Sequence, residues 1–224
     1  MSEARAILTD GAWKNNPALV QLLGLCPLLA ITTTLVNGLA LGLATTAVLV
    51  ATNITVSLIR GALVPAARIV TFVLIISSLV TVIDLLSSAF LYDLHQTLGL
   101  FIPLIVTNCA ILAQAELVAS RRTIGIAALG GFATGAGFTA VLVSLGAIRE
   151  IVGQGTLFAG LDQLFGSRAA GVQIDLPFEG ILVAALPPGA FFGLALLIAV
   201  KNHYSRKRDE TRGESVANPQ EHSA

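Results

Sequence analysis

The sequence predicts an all-α membrane protein of six transmembrane helices, built as an inverted 3+3 repeat in which helices 1 and 4 are interrupted. Three observations carry that expectation. Of 224 residues, 55% are hydrophobic and only 12% charged, against about 25% charged in a soluble domain. Residues 15–59 contain no Asp, Glu, Lys or Arg at all. The basic residues gather in every second connection between the apolar segments, on one side of the membrane. Too little polar surface remains to face water all round, so lipid is the expected solvent for most of the exterior. The net charge of +0 gives no reason to expect a nucleic-acid partner.

A span needs about 20 apolar residues to cross a hydrocarbon core of about 30 Å. The uncharged run therefore holds two spans, read as 17–37 and 40–59, with a Gly-containing turn near residues 37–42. The third is read as 68–92, with Asp84 inside it, and the fourth as 97–117, ending near Glu116. The fifth follows Arg121 and Arg122 and continues to about residue 148, and the sixth covers 178–200. Residues 149–177 are too polar to span. Residues 1–204 form the membrane domain, with repeat one at about 15–92 and repeat two at about 96–202. The charged stretch 205–224 is expected to be a disordered cytoplasmic tail. Glu3, Asp10 and Lys14 interrupt the start, so no cleavable signal is expected.

Orientation follows from the basic residues. With the N-terminus in the cytoplasm, the inside receives Arg5, Lys14, Arg60, Arg68, Arg121, Arg122, Lys201, Arg206, Lys207, Arg208 and Arg212, and the outside only Arg149 and Arg168. Both termini are then cytoplasmic.

The repeat rests on two alignments. Gly42-Leu43-Ala44-Thr45-Thr46-Ala47-Val48-Leu49-Val50 matches Gly135-Ala136-Gly137-Phe138-Thr139-Ala140-Val141-Leu142-Val143 at six of nine positions. Pro27-Leu28-Leu29-Ala30 is set beside Pro103-Leu104-Ile105-Val106. Three spans per copy is an odd number, so the copies must have opposite orientations, related by an axis in the membrane plane. The distance from Pro103 to Gly135 is about twice that from Pro27 to Gly42, which requires a longer connection in the second copy.

Spans 1 and 4 each carry an internal Pro followed by polar residues: Thr32, Thr33, Thr34 and Asn37 in one, Thr107, Asn108 and Gln114 in the other. Proline frees a carbonyl, and in lipid such groups must find protein partners or line a cavity. Paired interrupted helices point to a functional centre. Cys26 and Cys109 lie on these two spans, each near the midplane, and an inverted repeat lets them converge. On residue physics alone each also fits a small apolar core residue. Asp84, within span 3, marks an ion pathway or, at the outer end of a tilted helix, the interface; Thr107 and Asn108 are further candidates for that pathway. Glu116, Arg149 and Glu150, at span ends, are read as interface anchors or partner contacts. His95, His203 and His222 receive no role, and no catalytic triad or phosphate loop is present.

Five segments carry a family resemblance. They are Asn16-Pro17 with Leu22-Leu23-Gly24-Leu25-Cys26-Pro27-Leu28-Leu29; Val56-Ser57-Leu58-Ile59-Arg60; Ile102-Pro103-Leu104-Ile105-Val106-Thr107-Asn108-Cys109 with Gln114-Ala115-Glu116; Gly146-Ala147-Ile148-Arg149-Glu150; and Leu186-Pro187-Pro188-Gly189-Ala190-Phe191. In these the chain resembles the small membrane subunits of the Rnf (Rsx) electron transport complex and the sodium-pumping quinone reductase, and within them the Rnf E type more than NqrD. The resemblance implies a bacterial inner-membrane subunit of an ion-translocating ferredoxin:NAD oxidoreductase, not catalytic alone. It implies that Cys26 and Cys109 supply two of four ligands of an intramembrane 2Fe–2S cluster, and that the homologous A subunit supplies the others. It implies the B, C, D and G subunits as further partners, and transport of Na⁺ or H⁺. Relatives usually have Arg-Ala-Glu where this chain has Gln114-Ala115-Glu116, which removes a positive charge there. The competing reading is a small inverted-repeat transporter or channel in which the cysteines are incidental.

Overall fold

The structure is a computed structural model that describes residues 11, 15–61, 67–90, 92, 95, 96, 99–157, 174, 175, 180 and 182–217. Among these the regular structure is helical apart from one two-residue antiparallel ladder, with turns at residues 15–24, 32–34, 106–108 and 120–123. The helices are α1 (Leu25–Ile31), α2 (Leu35–Ile59), α3 (Arg68–Phe90), a 3-10 turn (Ile102–Ile105), α4 (Cys109–Gln114) running into a π turn (Ala115–Ala119), α5 (Ile124–Gln154), α6 (Leu182–Ala185) and α7 (Pro187–Ala217). The ladder pairs Thr156 with Asp175 and Leu157 with Ile174. Four helical segments are long and apolar enough to cross a membrane: Leu35–Ile59, Arg68–Ala89, Ile102–Ala119 and Ile124–Gln154. The chain is therefore a multi-pass membrane protein. The sixth expected span, 178–200, falls partly outside the described residues.

The first span differs from its expected form. Residues 17–37 are not one helix, and the turn expected near 37–42 is absent, because α2 runs unbroken through both Gly38 and Gly42. The break lies earlier, at residues 32–34. There the Thr32 hydroxyl donates back to the Leu28 carbonyl (2.7 Å), and Thr34, in extended conformation, caps α2 by accepting the N–H of Asn37. Ahead of α1 the chain turns rather than coils. The Asn16 side-chain oxygen accepts the N–H groups of Ala18 and Leu19, a local bond that competes with helix. Gly24 then enters α1 at φ 74°, where glycine avoids the left-handed strain. At seven residues α1 is about 10 Å long, a third of the hydrocarbon core.

The two glycines have another use. α2 and α5 run antiparallel and touch along their lengths. A methyl group at Gly42 would lie 2.6 Å from Thr139 Cγ2, and one at Gly135 would lie 2.7 Å from Thr46 Oγ1. The Thr46 and Thr139 hydroxyls meet at 3.1 Å across the contact, 93 positions apart, and each is also 2.8 Å from the carbonyl four residues before it, Gly42 or Gly135, so one hydroxyl donates across the contact while the other donates back to its own helix. The reciprocity extends outward. Gly38 packs on the Leu142 carbonyl and Gly131 on the Leu49 carbonyl. Gly146 packs on the Thr34 carbonyl, while Asn53 Nδ2 donates to the Ala127 carbonyl (2.9 Å). Small residues at such a crossing let backbones approach closely, which is how helices associate in lipid.

The proline alignment does not hold. Pro27 lies inside α1, whereas Pro103 lies in the 3-10 turn before the second break. The cysteines correspond better: Cys26 is the second residue of α1 and Cys109 the first of α4. α7 continues through the charged stretch to Ala217, beyond the residue-205 start of the expected disorder. Arg, Lys and Glu are good helix formers, so high charge alone does not end a helix.

Candidate functional site

The two interrupted helices meet at their starts. Gly24 caps α1 and Asn108 caps α4. A methyl group at Gly24 would stand 2.8 Å from Asn108 Oδ1 and 2.9 Å from the ring of Phe138, so glycine is required for the approach as well as for φ. Asn108 Oδ1 accepts the Ala110 N–H (3.0 Å), closing the first turn of α4. Phe138, on α5, is fully buried beneath this junction. Cys26 follows one cap by two residues and Cys109 follows the other by one. Both thiols are free and exposed on the surface of the single chain. The Cys109 thiol has a weak contact with the Thr107 carbonyl (3.8 Å). The Asn108 amide nitrogen is buried and finds no hydrogen-bond partner among the described residues, which leaves a polar donor in the layer next to Cys109.

The ion-pathway candidates are not joined by hydrogen bonds. Thr107 donates to the Leu104 carbonyl in its own turn, and Asn108 is a helix cap. Asp84 lies near the end of α3 with its side chain 41% exposed, and its Oδ1 is 3.5 Å from His95 Nδ1. Sequence reasoning gave His95 no role. Its spacing from Asp84, across the end of a helix, carries no recognisable pattern.

Arg149 and Glu150 were expected at the interface or against a partner. They are instead 2% and 0% exposed. Arg149 Nη1 donates to Thr32 Oγ1 (2.9 Å) and the Leu29 carbonyl (3.3 Å). Its Nε and Nη2 donate to the Ala184 and Leu186 carbonyls at the end of α6. Glu150 Oε2 accepts the Leu35 N–H (2.8 Å) at the start of α2. A break in a helix within lipid leaves backbone groups that protein must satisfy, and this pair satisfies them. Glu116 makes an ion pair with Arg68 (3.1 Å), joining the π turn to the start of α3. An apolar cavity of about 300 Å³ lies apart from the thiols, among Ile148, Val152, Val183, Phe192 and Leu196.

The family model described as "Rnf-Nqr subunit, membrane protein" matches residues 4–198. The protein named as the E-type subunit of the ion-translocating oxidoreductase complex in Pseudoalteromonas atlantica is 56% identical over 207 residues, covering 90% of this chain and 88% of its own length. A protein of the same name from Shewanella amazonensis is 53% identical over 221 residues, with 98% and 95% covered. Another from Thioalkalivibrio sulfidiphilus is 54% identical over 219 residues, with 97% and 96% covered. Matches of this depth over nearly the whole sequence make the chain a member of the Rnf-Nqr family of membrane protein subunits.

Proposed function

We propose that the chain is the E-type membrane subunit of an Rnf ion-translocating oxidoreductase complex in the bacterial inner membrane, where it relays electrons between the two faces. The observation that carries this reading is the meeting of two interrupted helices, each with one exposed free thiol in its first turn. The names of the relatives support membership of an ion-translocating complex. In this reading Cys26 and Cys109 hold one half of a 2Fe–2S cluster. Iron–sulfur clusters of this type take four protein ligands, and among the described residues no group of three His, Cys, Asp or Glu comes together. The donor set therefore fits a half-site, completed by two cysteines of the homologous A subunit. Exposure of both thiols on the single chain is what a shared site requires.

A cluster held there carries one electron at a time. The chain's own contribution is to hold the two sulfurs in register through the Gly24–Asn108 contact. Its Asn108 amide adds a donor next to the site, since hydrogen bonds to the sulfurs help set cluster potential. The reciprocal α2–α5 contact supports the six-span inverted repeat, and the distribution of basic residues supports cytoplasmic termini. The wider complex moves electrons between ferredoxin and NAD through the B, C, D and G subunits, coupled to Na⁺ or H⁺ transport.

The test is low-temperature EPR of the dithionite-reduced membrane complex carrying Cys26→Ser or Cys109→Ser. Loss of one 2Fe–2S signal in an assembled complex, with the other centres retained, is expected for each. Survival of every iron signal in both variants would reject the half-site and favour a transporter with incidental cysteines.

A further inference from the structure

We infer that Arg149 and Glu150 are positioning residues for the Cys26 thiol, an inference that rests on the half-site proposed above. α1 is too short to hold itself in place, because isolated helices below about 12 residues are marginal. Its C-terminal end opens into the break at residues 32–34. Arg149 and Glu150, neighbours on α5, grip that break from both sides. The guanidinium binds the Leu29 carbonyl in the last turn of α1 and the Thr32 hydroxyl just after it. The carboxylate binds the first N–H of α2. Thr32 also donates to the Leu28 carbonyl, so Arg149, Thr32 and α1 form one chain of hydrogen bonds that ends two residues from Cys26.

The corresponding turn at residues 120–123, between the π turn and α5, is fastened differently. At the corresponding end of α2, Ser57 Oγ and Arg60 Nη1 both donate to the Arg122 carbonyl (3.0 and 2.7 Å). Here a hydroxyl and an exposed guanidinium share one acceptor, and among the described residues no carboxylate takes the following N–H group through an equivalent bond. Bonds to a buried charge are stronger than those of an exposed side chain. The two segments that carry the thiols are thus held unequally at their far ends, α1 by a buried charged pair and the segment 109–119 by a lighter fastening.

The experiment compares Arg149→Lys, Arg149→Met, Glu150→Gln and Arg60→Ala with wild type in the assembled complex. Two readouts are taken. One is the g-values and midpoint potential of the cluster by EPR redox titration. The other is the rate of maleimide alkylation of Cys26 relative to Cys109 in membranes depleted of iron. For Arg149→Met we expect a shifted EPR signature and Cys26 alkylation on the order of tenfold faster, matching the loss of one charged hydrogen bond. Arg149→Lys, which keeps the charge but not the fork, restores part of it, and Arg60→Ala leaves Cys26 unchanged. Assembled Arg149→Met and Glu150→Gln complexes with both readouts at wild-type values would overturn the inference. Should Cys26→Ser retain every iron signal, the half-site fails separately, and the positioning role is then decided by Cys26 alkylation alone. Failure of Arg149→Met to assemble shifts the decision to Arg149→Lys and Glu150→Gln, with the same two outcomes.

Discussion

Replacing Gly24 with alanine tests the junction of the interrupted helices most directly. Gly24 has φ 74° and ψ 25°, and a left-handed conformation costs a residue with a Cβ about 1–2 kcal/mol. The new methyl would also stand 2.8 Å from Asn108 Oδ1 and 2.9 and 3.1 Å from two ring carbons of Phe138. Phe138 is fully buried and cannot swing aside, and Asn108 is already committed as the cap of α4. Overpacking of this kind costs about 1–3 kcal/mol, so the expected total is about 2–5 kcal/mol. The assay is unfolding of the purified chain in detergent, with Gly125→Ala as control. A methyl at Gly125, inside α5, meets nothing within 4 Å, so that change should be neutral or stabilising by up to about 1 kcal/mol. Asn108→Ala alone should lose about 0.5–2 kcal/mol as a cap. Combined with Gly24→Ala it should cost less than the sum, because it removes one clashing atom. Gly24→Ala no worse than the control, or strictly additive with Asn108→Ala, would refute the packed junction.

The reciprocal crossing predicts that Gly42→Ala and Gly135→Ala each destabilise by about 1–3 kcal/mol in the same assay; a neutral result for either would mean the two sides are not equivalent. Thr46→Val should cost about 0.6 kcal/mol, the usual worth of a hydrogen bond between membrane helices, and a loss several times larger would show that the hydroxyl does more than bridge to Thr139. Glu116→Gln should change stability by less than about 1 kcal/mol, since Arg68 and Glu116 are each about one-third exposed. Asp84→Asn is expected to leave ion uptake by reconstituted complex intact, because Asp84 is half-exposed beside His95; loss of coupled uptake from an assembled complex would place Asp84 on the pathway.

The membrane class and three of the long helices were legible in the sequence because charge is so costly in lipid that its distribution outlines the spans. The first break was not. Gly38 and Gly42 resemble turn residues, but their use is to admit the Leu142 carbonyl and the Thr139 side chain at close range, and a sequence does not separate a glycine that bends from one that makes room. The true break uses threonines, which also sit comfortably inside helices when they bond back four residues, as Thr55 does to Ala51. The alignment of residues 42–50 with 135–143 was informative because the aligned glycines and threonines are each other's contacts. The proline match lacked that support. Arg149 and Glu150 were misplaced because charge at the end of an apolar run looks interfacial, and nothing local reveals that two broken backbones converge on it.

Those differences in fastening bear on where the chain can move. Sliding α2 along α5 would drive backbone into backbone at Gly38, Gly131 and Gly146, each packed against a carbonyl at or beside the other helix. Compliance must therefore reside in the interrupted segments, and the two are unequal. α1 is gripped by a buried charged pair. Residues 102–119 pass through a 3-10 turn, a break and a π turn, forms that mark strained or hinge-like stretches of helix. Weaker local structure opens at lower free energy. Hydrogen exchange measured by mass spectrometry on the intact complex should therefore be faster in 102–119 than in 25–31, and any dependence on oxidation state should appear first in the segment carrying Cys109. Equal or faster exchange in 25–31 would show that the charged pair does not stiffen α1, and would place the compliant element on the Cys26 side instead.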